Sequence, residues 1–529
     1  MLSLTLVVSV GLVVVLSVSA AARTGVAPPI LLLLGGVLLG FVPALREVEM
    51  PPEAVLLLFL PVLLYWESFT SSLREIRGNL RLIVLLSTLL VAGTAAAVAV
   101  AAHAAGLPWG PAWVLGAALA PTDATAVGVL GRGLPRRLAS TLRSESLVND
   151  GTALVIYALA VGVTTGEDHL SLGHIGGLFA LAYLGGALIG LVVTWLGLQL
   201  RKRLDDPFQH NVLALVTPLT AYLIAEYADA SGVLAVVVSG LTVSRVAPRA
   251  FPAHVRQYVG TVMGFITDLA NAALFVMIGL QAQSAVRGLT TVDVPHALIT
   301  VALVSVAVIG ARFVWLFTTP YLIRTLDRRP RQRLLRMGPK ARTVMATAGF
   351  RGAVSLAAAL AVPQTLSNGS PFPGRDVIIF ATAGVIGVTL LLQAPLLPRV
   401  VKWADLGVDQ AAGQERRTAR IAAAEEALTA LPELARKLGS EEELVSQLRA
   451  EYHHRLQTLR GEHDGEMMDA GQDRERKDAD LRLALLAREH HTVVRLRDRA
   501  EIDDAVLQQI EADLDLERIQ LHRRRSAAD

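Results

Sequence analysis

The chain has 529 residues, 53% of them hydrophobic, with 49 Lys and Arg against 46 Asp and Glu and a formal charge of +3. It contains no cysteine, which excludes disulfides, thiolate metal sites and thiol chemistry. The apolar residues crowd into residues 1–400, a membrane composition, and no nucleic-acid partner is expected.

Apolar runs of roughly 17 to 25 residues can cross a hydrocarbon core of about 30 Å at about 1.5 Å per residue. About 13 spans are predicted on that basis, at 3–21, 26–42, 53–70, 82–104, 110–131, 141–165, 174–199, 210–228, 232–246, 257–283, 294–318, 342–362 and 375–399. The first has no basic segment ahead of it, so it reads as a retained helix and not as a cleaved signal. Arg74, Arg77 and Arg81 follow the third span, Arg132, Arg136, Arg137 and Arg143 the fifth, and Arg201, Lys202 and Arg203 the seventh. Arg245, Arg249 and Arg256 follow the ninth, and a cluster from Arg324 to Arg342 follows the eleventh. Loops after even-numbered spans, such as 104–109 and 166–173, are almost free of Lys and Arg. This alternation is what the positive-inside rule produces, and it predicts an outside N-terminus and an inside C-terminus.

Three spans carry polar groups that end effects do not explain. The fifth contains Pro121-Thr122-Asp123-Ala124-Thr125. Proline deletes a backbone donor and clashes with the preceding turn, so a break is expected near Pro121, freeing backbone groups of the kind that transporters use as ion sites. The alternative is a simple kink in which Asp123 is satisfied locally. The sixth span holds Ser144-Glu145-Ser146-Leu147-Val148-Asn149-Asp150-Gly151. A charge at the bilayer centre costs at least about 2.5 to 3.5 kcal/mol, so such a stretch points to function. Glu145 and Asn149 share a face, as do Ser146 and Asp150, which gathers the polar groups into one broad stripe. Counting along the helices puts Asp150 about 15 Å and Asp123 about 12 Å from the inner surface, a matching depth for one site. A buried carboxylate can be neutralised by a proton or by a metal cation, and a group that accepts either is the minimum machinery for exchanging them.

The eleventh span contains Arg312 at nearly the depth of Glu145, roughly 9 Å against roughly 7 Å from the inner surface. A buried arginine needs a partner, and Glu145 is the candidate; the alternative is that Arg312 snorkels to the inner surface. In the twelfth span Gly349-Phe350-Arg351-Gly352 again joins a charge to helix-weakening glycine. Its place in the second half matches that of the fifth span in the first, the mark of an inverted repeat. From residue 401 the composition turns to Ala, Glu, Arg, Leu and Gln, with Ile502, Val506, Ile510 and Leu514 at helical spacing. This cytosolic region, residues 401–529, is expected to form two or three helices broken at Gly461–Gly465 and at Ala470-Gly471. It either senses pH, a nucleotide or a partner protein, or is a solvated helical appendage. His453-His454 and His490-His491 are read as surface histidines, because adjacent residues point to different faces of a helix.

Ser144 to Asp150, preceded by Pro121-Thr122-Asp123 and followed by Ala273-Leu-Phe-Val-Met-Ile-Gly-Leu280 and Phe350-Arg-Gly-Ala-Val-Ser-Leu356, resembles the sodium/proton antiporters of the NhaP and NHE type. Leu60-Pro-Val-Leu-Leu-Tyr-Trp-Glu67 is similar to that family's third-helix segment, with Tyr65-Trp66 in place of the more usual aromatic and small residues. The tail segment from Glu501 to Glu517 is similar to bacterial members. The resemblance covers residues 1–400 and implies an all-α polytopic membrane protein of NhaA-like fold, with inverted repeats and broken helices. It implies that Asp150 alternately holds sodium and a proton, and that Asn149 is the uncharged neighbour of the electroneutral branch. Asp150, Asp123, Thr122 and Ser146 would coordinate Na+, and Glu67 would contribute through water. Glu67 also reads as a solvated residue at the inner end of its span. Glu145 and Arg312 would form a salt bridge, and Arg351 would support the broken twelfth helix. A homodimer with a moving ion-binding core is implied, with no cofactor beyond the transported Na+ and H+.

The function expected is exchange of a monovalent cation for H+ across the cell membrane, one for one. Sodium, lithium and potassium stay open, since selectivity among them rests on fine placement of oxygens; a potassium/proton antiporter regulated by its tail is the alternative. Two rivals use the same carboxylates. A cation channel would lack proton-coupled counterflow, and an intramembrane aspartic protease would pair Asp123 with Asp150 but give Glu145 and Arg312 no role.

Overall fold

A computed structural model describes residues 2–45, 55–71, 85–123, 134–166, 177, 179–204, 206–289, 292–326, 337–406, 410–461 and 465–499, with 510, 514, 517 and 521. Several sequence expectations fall outside these residues: Arg74, Arg77, Arg81, Arg132, Thr125, the second half of the fifth span, Ile502 and Val506. The chain forms two compact units, Met1–Val408 and Asp409–Asp529.

In the first unit, α1 (Leu2–Thr24) and α2 (Pro28–Leu39) are followed by α3 (Leu60–Thr70), which continues from a π-helical turn at Val55–Phe59. A second such turn, Leu85–Leu90, leads into α4 (Val91–Ala104), and α5 (Trp109–Leu119) stops just before Pro121. Next come α6 (Arg136–Thr165), α7 (Gly186–Arg201), α8 (Pro207–Tyr227), α9 (Gly232–Ala250), α10 (Ala253–Arg287) and α11 (Val294–Leu326). The twelfth span is two short helices, α12 (Pro339–Thr347) and α13 (Ala353–Leu360), and the unit ends with α14 (Arg375–Val388), a π-helical turn and α15 (Ala394–Ala404). Among the described residues nine helices are long and apolar enough to cross a membrane. The remaining predicted spans correspond to α2, α3, α5 and the α12–α13 pair, each shortened or interrupted.

Two sets of helices pack within this unit. One set joins α4 to α5 and α11, α5 to α6, and α14 to α11 and α13; the other joins α2 to α1 and α10, and α9 to α3, α7 and α8. Lipid gives helices no hydrophobic drive to associate, so close approach through small residues does much of the holding. At the crossing of α2 and α10, a Cβ on Gly36 would strike the carbonyl of Val276, and one on Gly279 that of Leu33. The outward faces are apolar instead of polar: Leu184, Leu188, Trp195 and Leu196 along the α7 span are all more than half exposed. That inversion is what a lipid solvent produces.

The second unit contains α16 (Gln410–Leu438), α17 (Glu442–Gly461) and α18 (Gly465–Asp498). Arg417 donates to the carbonyls of Leu459 (2.7 Å) and Arg460 (2.9 Å), closing the C-terminus of α17, and Arg460 pairs with Glu425. The expected break at Ala470-Gly471 is not there, since α18 runs through it. A glycine inside a helix costs only about 1 kcal/mol relative to alanine, and long runs of good helix formers flank this one. A break that was not anticipated occurs at Gly439, whose φ of +64° is the left-handed conformation that ends helices.

Candidate functional site

The site lies where the two helix sets meet. A cavity there is lined by Leu60, Leu63, Leu64 and Glu67 of α3, Pro121, Thr122 and Asp123 after α5, and Ser146 and Asp150 of α6. Asn271, Leu274, Phe275 and Ile278 of α10 and residues 352–355 at the start of α13 close it. Asp123 and Asp150, predicted at matching depth, thus face one space, and Asp150 is only 4% exposed. Glu67, half-buried, lines the same cavity.

Two interrupted spans cross at this point. After α5 ends at Leu119, the chain runs non-helically through residues 121–123; between α12 and α13 it does the same through 349–352. The backbone N–H of Asp123 donates to the carbonyl of Phe350 at 2.9 Å, so the unwound segments satisfy each other instead of leaving polar groups bare. Pro121 cannot donate to the helix, and glycines at 349 and 352 lower the cost of leaving it. A Cβ at Gly352 would fall on the Asp123 carboxylate, which therefore sits against the N-terminus of α13, where the helix dipole favours an anion. Gly352→Ala is accordingly expected to destabilise by about 1–3 kcal/mol through overpacking. Unfolding in detergent followed by tryptophan fluorescence would read this, and an unchanged midpoint would mean that Asp123 steps aside freely.

Cations occupy the complementary places. Arg351, 1% exposed, donates through Nε to the carbonyl of Leu119 (2.6 Å), the last residue of α5, and through Nη1 to that of Gly349 (2.7 Å). It thus closes the negative end of α5 as well as bracing the twelfth span. Arg312, 2% exposed, donates through Nε to the carbonyl of Met345 in the last turn of α12 (3.0 Å). Its two terminal nitrogens grip both oxygens of Glu145, Nη1 on Oε1 and Nη2 on Oε2, the latter at 3.1 Å. Arg312 therefore does not snorkel. The bidentate pair locks α6 to α11 and, through Met345, to the broken span.

The polar stripe of α6 divides into two faces. Ser146 donates to the carbonyl of Thr122 at 2.8 Å and lines the cavity with Asp150. Asn149 does not line it. Its Nδ2 donates to Thr122 Oγ1 at 2.7 Å, and that hydroxyl lies 3.5 Å from Glu145 Oε1. Asn149 meets the cavity through Thr122, because one residue along a helix is a turn of about 100°, which carries its amide to the ion-pair side. Sequence reasoning also passed over Asn271, a polar residue in the apolar middle of α10 that lines the cavity. Its place three residues after Asp268 and four after Thr267, one polar side of a helix inside the predicted 257–283 span, was the available signal.

The donor set is made of carboxylates, a hydroxyl and a backbone carbonyl, all hard oxygens suited to an alkali cation. Among the described residues no cluster of three or more His, Asp or Glu has the geometry of a metal centre. The arrangement can hold a cargo cation on Asp150, Ser146, Thr122 and Asp123, or a proton on the carboxylate in its place.

Comparison with known proteins agrees with this geometry. Residues 9–403 match the model of the sodium/hydrogen exchanger transmembrane family. The chain is 42% identical over 523 residues to an uncharacterized Na(+)/H(+) exchanger of Mycobacterium tuberculosis, covering 97% of this chain and 96% of that one. It is 31% identical over 510 residues to the uncharacterized Na(+)/H(+) exchanger YjcE of Escherichia coli, covering 92% and 93%. In fold it is similar to the sodium proton antiporter MjNhaP1 from Methanocaldococcus jannaschii, with a TM-score of 0.57 at 19% identity, covering 76% of this chain and 99% of that one. The polytopic helical fold, the paired interrupted spans and the sequence match converge, and the chain belongs to the sodium/hydrogen exchanger family.

Proposed function

We propose that this chain exchanges one sodium ion for one proton by alternating access around Asp150. The single observation that carries the reading is the placement of Asp150, 4% exposed, in a cavity between two helix sets that also presents Asp123, Thr122, Ser146 and Glu67. A carboxylate there stabilises a bound cation, and a proton discharges it equally well, so each ligand displaces the other. Thr122 and Ser146 hold the carbonyl and hydroxyl oxygens in place, Asp123 stands at the N-terminus of α13, and Glu67 reaches the ion through water. Glu145, Arg312 and Arg351 fix the frame in which these groups sit.

One-for-one exchange rests on Asp150 as the single carboxylate that trades cation for proton, with the Asn149 amide next to it in the chain adding no charge. In proteoliposomes, sodium-driven proton movement is expected to be unaffected by an imposed membrane potential, and lowering the pH is expected to raise the sodium concentration needed for half-maximal rate. Voltage-dependent turnover would overturn the stoichiometry, and a pH-independent sodium requirement would overturn the competition. Asn149→Asp places a new carboxylate near Thr122 and Glu145 instead of in the cavity. It is expected to lower stability by like-charge repulsion without making exchange electrogenic, which the same voltage experiment checks.

The thirteen predicted spans, the alternating basic loops and the family support a multi-pass protein of the cell membrane with its N-terminus outside. Residues 1–400 form the transporting region and 401–529 a cytoplasmic helical tail, and the working unit is a homodimer. Sodium is favoured over the potassium alternative because the matching family is described by sodium. Dequenching of a pH dye in proteoliposomes, compared across sodium, lithium and potassium, tests that choice. Family membership sets aside the channel and protease readings, which would require single-channel currents or peptide cleavage.

A further inference from the structure

The helix that brings Glu67 to the ion cavity has an opposite face, and that face borders a second cavity. Tyr65, Trp66 and Phe69 of α3 line it, with Arg201 at the end of α7, Val243 and Ala247 of α9, Phe251, and Val255, Arg256 and Val259 of α10. No carboxylate is among the lining residues. Arg201 is 5% exposed, and its Nη2 has no hydrogen-bond partner among the described residues. A buried guanidinium nitrogen left without an acceptor is costly, and it marks a place where an acceptor belongs. The ring of Phe251 lies 5.3 Å below the guanidinium carbon, and the guanidinium is hydrogen-bonded to the Tyr65 side chain, which leaves Nη2 as its unpartnered donor.

Arg256 supplies a second cation to this cavity while holding the carbonyl of Phe251 through Nη1 at 2.5 Å. The exposed Lys202, Arg203, Arg245 and Arg249 stand at the same ends of α7 and α9. Asp206, the described acidic residue nearest in sequence to Arg201, is engaged in capping α8 through the N–H of Phe208 at 3.0 Å. Tyr258, half exposed, adds an amphipathic ring of the type enriched at a bilayer surface. Two arginines, an aromatic wall and surrounding positive charge suit the small enclosed space, about 20 Å³ and room for one oxygen, to the oxygen of a tetrahedral anion, since arginine's planar fork matches phosphate oxygens. Basic pockets between membrane helices on the cytoplasmic side are recognised headgroup sites.

We propose that this cavity binds a phosphate group, presented by an anionic phospholipid headgroup or as free phosphate, with Arg201 and Arg256 as its donors. The helix α3 carries lining residues of both cavities, Tyr65, Trp66 and Phe69 on one side and Leu63, Leu64 and Glu67 on the other. Placing the cavity at the cytoplasmic surface rests on the orientation proposed above; the binding itself does not, and is read without transport.

The test uses the full-length protein in neutral detergent, titrated separately with phosphatidylglycerol, phosphatidylcholine and inorganic phosphate, with the rise in unfolding temperature as readout. Phosphatidylglycerol is expected to stabilise saturably and phosphatidylcholine not. Arg201→Gln and the more conservative Arg256→Gln, at an exposed position, are each expected to weaken binding by about tenfold or more, while Lys202→Gln leaves it nearly unchanged. Stabilisation by inorganic phosphate alone, lost in both arginine variants, supports the site and makes free phosphate its ligand. Equal stabilisation by the two lipids, or Arg256→Gln binding phosphatidylglycerol as the parent does, overturns the proposal.

Discussion

Asp150→Asn is expected to reduce sodium-driven proton movement in proteoliposomes to the level of protein-free vesicles while leaving a folded protein. The amide has nearly the shape of the carboxylate, so the packing around a residue only 4% exposed is kept. What disappears is the negative charge that holds the cation and the oxygen that takes up the exchanged proton. The other cavity groups cannot take over its part. Ser146 is engaged with the Thr122 carbonyl, and Asp123 is held by its own backbone bond to Phe350 against the start of α13. Substantial residual exchange in a folded Asp150→Asn protein would remove Asp150 from the mechanism and shift the burden to Asp123 or Glu67.

Breaking the ion pair is expected to have the largest effect on stability. Glu145 and Arg312 are 1% and 2% exposed, and removing one partner strands the other's charge in a medium that cannot solvate it, at a cost of about 3–5 kcal/mol. Glu145→Gln and Arg312→Met should each show this as a lowered unfolding midpoint in detergent or lipid. Arg312→Met carries an additional loss, because the hydrogen bond to Met345 at the end of α12 goes with it. Combining the two removes both charges, so the double variant is expected to be less destabilised than the sum of the singles. Strict additivity in that cycle would mean that the two side chains act independently. Single variants within about 0.5 kcal/mol of the parent would place the pair among contacts with no structural weight.

How much of this was legible in the sequence varies with what sets each feature. Bilayer thickness fixes the length of an apolar run, so the spans could be read directly, whereas the π-helical turns at Val55–Phe59 and Leu85–Leu90 left no mark in the apolar pattern. Depth is nearly linear in residue count along a straight helix, which is why Asp123 could be set beside Asp150 and Glu145 beside Arg312 without any coordinates. Rotation about the helix axis is not fixed that way. Whether Asn149 turned toward the cavity or toward Thr122 depended on which neighbours α6 packed against, and its stripe was broad enough to permit both. The same holds for Arg351: the glycines around it announced a break, but its bond to the Leu119 carbonyl joins residues 232 apart in the chain. In the tail, Gly439 and Gly471 look alike as letters. The first ends α16 in a left-handed conformation and the second is absorbed by a long helix, a difference set by what flanks them.

The bond from the Asp123 N–H to the Phe350 carbonyl is made by atoms that nearly every amino acid shares. Side chains at either position can therefore drift without severing the splice between the chain's two halves. Only proline at 123 lacks the hydrogen that makes it. The two unwound strands are thus tied through the main chain itself, a linkage built into the polymer whose atoms every substitution except proline at 123 leaves in place.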